Sequence, residues 1–276
     1  RLRSGDTAGA LQALQRAAEL APDAAAIRTQ LALAQLSSGE TEAAEAELRS
    51  AIDLTEQFPQ SDALLILLQL RSDRAPEALE SAERFAERSP DAPLAYNLLG
   101  AARIANEDTE GGRQALERAL ELDPAFSPAL LNLAALDATS DVETALDRLD
   151  AYLDRNPADR TVLARYAEYA QQAGDLDRAI DRVERALATN TDDRPTLTLL
   201  LARLRGAAGD PDAARALVLA LDDDPDAPTP VIAARAAAAR DTGDQALATR
   251  LFRTLVEREP QNRAYVVELS NALRRT

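Results

Sequence analysis

The chain has 276 residues, a formal net charge of −16, and no Cys, His, Met, Trp or Lys, so every basic residue is Arg. Without His or Cys there are no disulfides, zinc fingers, haem ligands, thiol nucleophiles or Ser-His and Cys-His catalytic pairs, and the acidic balance argues against nucleic acid and anionic membrane surfaces, which need clustered cations. Only 3% of residues are aromatic, Val, Ile and Thr are sparse, and Ala, Leu, Glu, Arg and Gln dominate, so the composition predicts an all-α protein.

In chain order, one pattern recurs. Residues 1–22 read as a single amphipathic helix behind Gly5-Asp6 and ahead of Pro22. Residues 23–59 read as two helices separated by Gly39-Glu40 and closed by Pro59; residues 60–90 follow, with Arg71-Ser72-Asp73-Arg74 in place of a glycine turn and Pro90 at the end. Residues 91–124 are the fullest pair, closed by Pro124. Residues 125–157 turn at Asp137-Ala138-Thr139-Ser140-Asp141 and close at Pro157. Residues 158–191 turn at Gly174-Asp175, with Thr191 where a proline is due. Residues 192–225 turn at Gly209-Asp210 and end at Pro225. The Ala-rich pair 226–260 turns at Gly243-Asp244 and ends at Pro260, and residues 261–276 read as a lone helix.

The closing positions are 37, 31, 34, 33, 34, 34 and 35 residues apart. Proline lacks an N–H and cannot continue a helix, so it marks the turn between pairs. Glycine supplies the left-handed residue that ends a first helix, and the acid after it suits the positive end of the next helix. On this spacing the pair 23–59 is about three residues long, 60–90 about three short, 125–157 one short and 226–260 one long, and local changes in pitch are expected there. Both ends look cut, with a helix lacking its partner at each. Leu269 and Leu273 of the last helix are expected to be exposed.

A period near 34 is that of the tetratricopeptide repeat, and the residues bear out the resemblance. The stretch PLAYNLLGAARIANEDTEGGRQALERALELDP carries Tyr96, Leu99-Gly100, Arg103, Gly112, Leu116, Ala119 and Pro124 at the places that family fills with a large residue, Leu-Gly, Tyr, Ala, Phe, Ala and Pro. The next matching pairs carry Leu163, Tyr166-Ala167, Ala170, Ala179, Val183 and Ala186, then Leu197, Leu200-Leu201, Leu204, Ala213, Leu217 and Ala220. The resemblance implies one right-handed superhelical solenoid of antiparallel helix pairs over 1–276. It implies a scaffold without enzymatic activity or cofactor, whose first helices line a concave groove for a peptide or partner helix. Groove places fall on Thr29, Leu33, Asn97, Ala101, Leu131, Ala135, Thr198, Ala202 and Arg205, with Asn132, Arg165, Glu168 and Gln172 between them. Asn132 stands where several family members hold a ligand backbone. The carboxylate clamp of some members needs Lys, so it is not carried over. The groove composition suits an apolar or mixed peptide better than a strongly acidic one.

The stretch Ser89–Asp137 also resembles the large tetratricopeptide lipoproteins of the bacterial exosortase and PEP-CTERM system, the PrsT family. That implies a periplasmic or outer-membrane-associated scaffold in exopolysaccharide export or protein sorting; the alternative is a cytoplasmic or co-chaperone-like adaptor. Other chemistry finds little support. Asp222-Asp223-Asp224 could offer oxygen ligands to a hard cation but lacks calcium-loop spacing and reads as a solvated turn. Gly111-Gly112 has no strand before it and no Lys after it, so it is no phosphate loop. The apolar run Ala63–Leu70 is too short to span a bilayer.

Overall fold

The computed structural model describes residues 7–55, 59–189, 193–224 and 226–275. Among the described residues there are sixteen α-helices and no strand. They fall into two compact units, Arg1–Leu136 and Asp137–Thr276. The first holds α1 (Thr7–Leu20), α2 (Ala25–Ser37), α3 (Thr41–Leu54), α4 (Pro59–Arg71), α5 (Ala75–Arg88), α6 (Pro93–Ala105), α7 (Thr109–Leu122) and most of α8 (Ser127–Ala138). The second holds α9 (Val142–Leu153), α10 (Arg160–Ala173), α11 (Leu176–Thr189), α12 (Arg194–Ala207), α13 (Pro211–Leu219), α14 (Thr229–Thr242), α15 (Gln245–Arg258) and α16 (Arg263–Arg275).

The first helices of the pairs are α2, α4, α6, α8, α10, α12, α14 and α16. They begin at residues 25, 59, 93, 127, 160, 194, 229 and 263, at spacings of 34, 34, 34, 33, 34, 35 and 34. The long and short pairs expected over 23–90 are therefore one displaced proline. Pro22, Pro90, Pro124, Pro157 and Pro260 stand three residues before a first helix, whereas Pro59 is the first residue of α4. At that position its missing N–H leaves no helical bond unmade. The boundary expected between residues 59 and 60 falls inside a helix. The markers Gly5-Asp6, Thr191 and Pro225, and the boundaries set on the last two, lie outside the described residues.

The turns within the pairs obey the glycine rule where glycine is present. Gly39, Gly174, Gly209 and Gly243 have φ of +82, +79, +89 and +85°. Two pairs make the same left-handed turn without it, through Asp73 (φ +55°) and Glu107 (φ +66°). The turn after α8 has no left-handed residue. It closes instead with the Ser140 and Asp141 amides donating to the Asp137 carbonyl, at 3.0 and 2.9 Å.

Within each unit, successive helices pack antiparallel, and first helices also touch one another: α4 meets α6, α10 meets α12, and α12 meets α14. Small residues set the closeness within a pair. A Cβ on Gly100 of α6 would stand 2.6 Å from Leu116 Cγ of α7, and one on Gly112 would stand 2.5 Å from Ile104 Cγ1. The core of the first unit is built from Ala32, Ala44, Leu48, Leu65, Ile66, Phe85, Leu98, Leu116 and Leu133, and that of the second includes Val231, Ile232, Leu251, Phe252 and Leu255. Burying each large side chain contributes about 1.5–3 kcal/mol. On α16, Leu273 is exposed as expected, but Leu269 packs against the core; Val266 and Val267 are exposed instead. The inward face of the helix carries Tyr265, Leu269 and Ala272, at i, i+4 and i+7.

Candidate partner-binding surface

Between α2 and α4 lies a cleft of about 440 Å³ lined by Leu36, Thr41, Leu64, Leu67, Leu68, Arg71 and Ser72. Leu67 is 45% exposed there. Leu67 stands beside Leu36, Leu64 and Leu68, which are half-buried against the core, so the cleft has the apolar lining that marks ligand grooves.

The expected groove residues divide. Thr29, Asn97 and Thr198 are buried, at 1%, 7% and 6% exposure, as is Ala202. Thr29 and Asn97 join helices rather than face outward. The Thr29 hydroxyl donates to the Ala25 carbonyl at 2.8 Å and shares a 2.8 Å hydrogen bond with the Ser61 hydroxyl of α4. The Asn132 amide of α8 donates to Asn97 Oδ1 of α6 at 2.8 Å. Asn132 thus already has an intrachain partner, and the pair ties successive first helices together. Leu33, Ala101 and Leu131 are half-buried and Ala135 is exposed. In the second unit, Arg165, Glu168 and Gln172 of α10 are exposed. Arg165 and Glu168 form a 3.2 Å ion pair, and the Arg165 guanidinium also lies over the Tyr169 ring. Arg205 is paired with Glu184 of α11 at 2.6 Å.

Leu36, Leu64, Leu67 and Leu68 were not singled out from the sequence, although the signal was there. Leu67 lies 34 residues after Leu33, at the same place in α4. Counting the repeat from Pro59 shifts that register by three residues and hides the match, and the run Ala63–Leu70 then reads only as a failed membrane span.

Charge is sorted between the two kinds of helix. Asp62 is the single acid in α2, α4 and α6. It is buried and ion-paired with Arg88 of α5. Burial pushes its carboxyl above the usual range, with Arg88 opposing the shift. The second helices α3, α5 and α7 carry Glu42, Glu45, Glu47 and Asp53, then Glu77, Glu80, Glu83 and Glu87, then Glu110, Glu117 and Glu121. Among these, Glu45 is held below the usual carboxylate range by its hydrogen bond from Arg74, at 2.6 Å, assisted by Arg49.

A second cleft, about 470 Å³, lies on α14–α16 and is lined by Arg240, Asp241, Gln245, Glu268, Asn271 and Ala272. Its charges satisfy one another, Arg240 reaching Glu268 at 2.9 Å and Asp241 at 2.8 Å. The Asp222–Asp224 turn is likewise engaged, Asp223 pairing with Arg235 and Arg250. Among the described residues no group of three or more side chains is placed to hold a metal ion, and no helix is long and apolar enough to cross a membrane.

Models of the tetratricopeptide repeat match residues 1–68, 64–125, 133–195 and 166–228. No curated protein matches the chain in sequence. Among solved structures, yeast Tom70 is similar with a TM-score of 0.60 at 15% identity, over 98% of this chain and 58% of that one. A tetratricopeptide repeat protein from Parabacteroides merdae ATCC 43184 is similar with a TM-score of 0.53 at 15% identity, over 99% of this chain and 94% of that one. MamA from Desulfovibrio magneticus RS-1 gives 0.48 at 22% identity, over 58% of this chain and 90% of that one. At such identities the likenesses to Tom70 and to the Parabacteroides merdae protein concern the fold alone.

Proposed function

Because the chain belongs to the tetratricopeptide repeat family, we propose that it is a protein–protein interaction scaffold whose first helices bind a peptide segment or partner helix. The observation that carries this reading is the α2–α4 cleft, where Leu67 stands 45% exposed among Leu36, Leu64 and Leu68. A helix or extended segment laid against such a surface gains affinity by burying apolar side chains at repeating places. The expected residues that are not buried belong to the proposal as well: Leu33, Ala101, Leu131 and Asn132 in the first unit and, as a surface of its own, Arg165, Glu168, Gln172 and Arg205 in the second.

The test is selection of peptides from a displayed library against the full chain, followed by titration against Leu67→Arg. The exposed position keeps the substitution from disturbing the core, and binding is expected to weaken by tenfold or more, about 1.4 kcal/mol. Equal binding by wild type and variant would sink the cleft as the site.

A narrower role in the bacterial envelope, in exopolysaccharide export or PEP-CTERM protein sorting, is supported only by the resemblance of Ser89–Asp137 to the PrsT family. The alternative is a cytoplasmic adaptor. Sequencing the gene's upstream end separates them: a signal peptide with a lipid-bearing cysteine supports the envelope role, and a cytoplasmic start removes it.

A further inference from the structure

Leucines supply affinity, but the charges around them choose among apolar partners. The α2–α4 cleft ends at Thr41, the first residue of α3, and at Ser72, in the turn before α5. Glu40 and Glu42 flank Thr41, Asp73 follows Ser72, and Glu77 stands one turn further on. All four are exposed, and none has a hydrogen bond or ion pair through its side chain among the described residues.

Local structure accounts for only part of this. Acids in the first turn of a helix suit its positive end, which covers Glu42 of α3 and Glu77 of α5. Glu40 occupies the N-cap of α3 but makes no capping bond, and Asp73 holds a left-handed turn that glycine makes elsewhere. The nearest guanidinium in these turns, Arg74, is taken by Glu45 at 2.6 Å. Arg71, which lines the cleft, is the one unpaired cation there among the described residues; Arg74 also attracts Glu77 and Glu42 through space, which leaves Glu40 and Asp73 as the unpartnered carboxylates. Meanwhile the floor of the surface, α2, α4 and α6, has no exposed acid at all. An apolar floor with an anionic edge, on a chain of net charge −16, repels an acidic segment and attracts a basic one.

We propose that the segment bound at the α2–α4 cleft is apolar along its length and carries Lys or Arg where it passes the turns at Glu40 and Asp73. This rests on the cleft being the binding surface. Two labelled model peptides test it against the full chain, sharing one leucine-patterned helical core and differing only in lysine or glutamate ends. Fluorescence anisotropy at low salt is expected to show the lysine peptide binding about five- to tenfold tighter, the size of a few exposed ion pairs. The preference is expected to shrink as salt rises, since exposed charges are screened. The double variant Glu40→Gln/Asp73→Asn is expected to remove most of the preference, and Arg71→Gln to leave the lysine peptide bound at least as tightly.

Equal binding of the two peptides, both lost in Leu67→Arg, overturns the charge proposal and leaves the cleft standing. A preference for the glutamate peptide that Arg71→Gln abolishes also overturns it, since Arg71 would then be the anchor. Failure of both peptides to bind counts against the cleft itself as well. Far-UV circular dichroism of each variant checks that the fold is kept, and all four substituted side chains are exposed.

Discussion

Polar residues on the first helices do two different jobs, and single positions show which. Thr29 and Asn97 bridge to the next first helix. Gln69 makes no such bridge: its side chain is fully buried and both amide atoms lack a protein partner. Gln35, 34 residues earlier at the same place, has an unpartnered Oε1. The corresponding place in α12 holds Leu204, which is buried. Leaving buried amide atoms unpaired costs about 1–3 kcal/mol, and an apolar side chain of similar shape avoids that. Gln69→Leu is therefore expected to raise the unfolding free energy by about 1–3 kcal/mol, read from urea denaturation. A loss of stability would show that the amide is satisfied.

At the scale of the helix pair, the turn decides where the second helix starts. Four pairs place glycine at the left-handed residue, but the pair α6–α7 places Glu107 there, at φ +66°. A side chain in that region crowds its own carbonyl, at about 1–2 kcal/mol. Glycine relieves the crowding but gives more freedom to the unfolded chain. Glu107→Gly is expected to stabilise by about 0.5–1 kcal/mol, measured as a higher urea midpoint with unchanged slope. An unchanged or lower midpoint would mean that the Glu107 side chain contributes contacts that outweigh its strain. The same scale explains Pro59. A proline is tolerated both in the turn and at the first residue of a helix, so the residue type marks a helix boundary without marking which side of it.

For the molecule as a whole, the charge of −16 means that 47 acids face 31 arginines, so many carboxylates have no cation to pair with. Self-repulsion among the carboxylates opposes the compact state. The thermal midpoint is accordingly expected to rise between low and physiological salt, measured by circular dichroism; a fall would show that the Arg–carboxylate pairs outweigh the repulsion. What the sequence determined on its own was the repeat: helix formers, Gly and Pro at a period near 34, and small residues such as Gly100 and Gly112 where two helices cross. These signals are local, because each follows from the backbone needs of a single turn or crossing. What only the tertiary structure decided was which side of each first helix remains open. Thr29, Asn97 and Thr198 looked like groove residues and are buried, while Leu67, not singled out from the sequence, is exposed in the cleft. A helix carries its apolar residues around more than one stripe, and whether a given stripe is covered depends on the neighbouring helices, one repeat away in the chain.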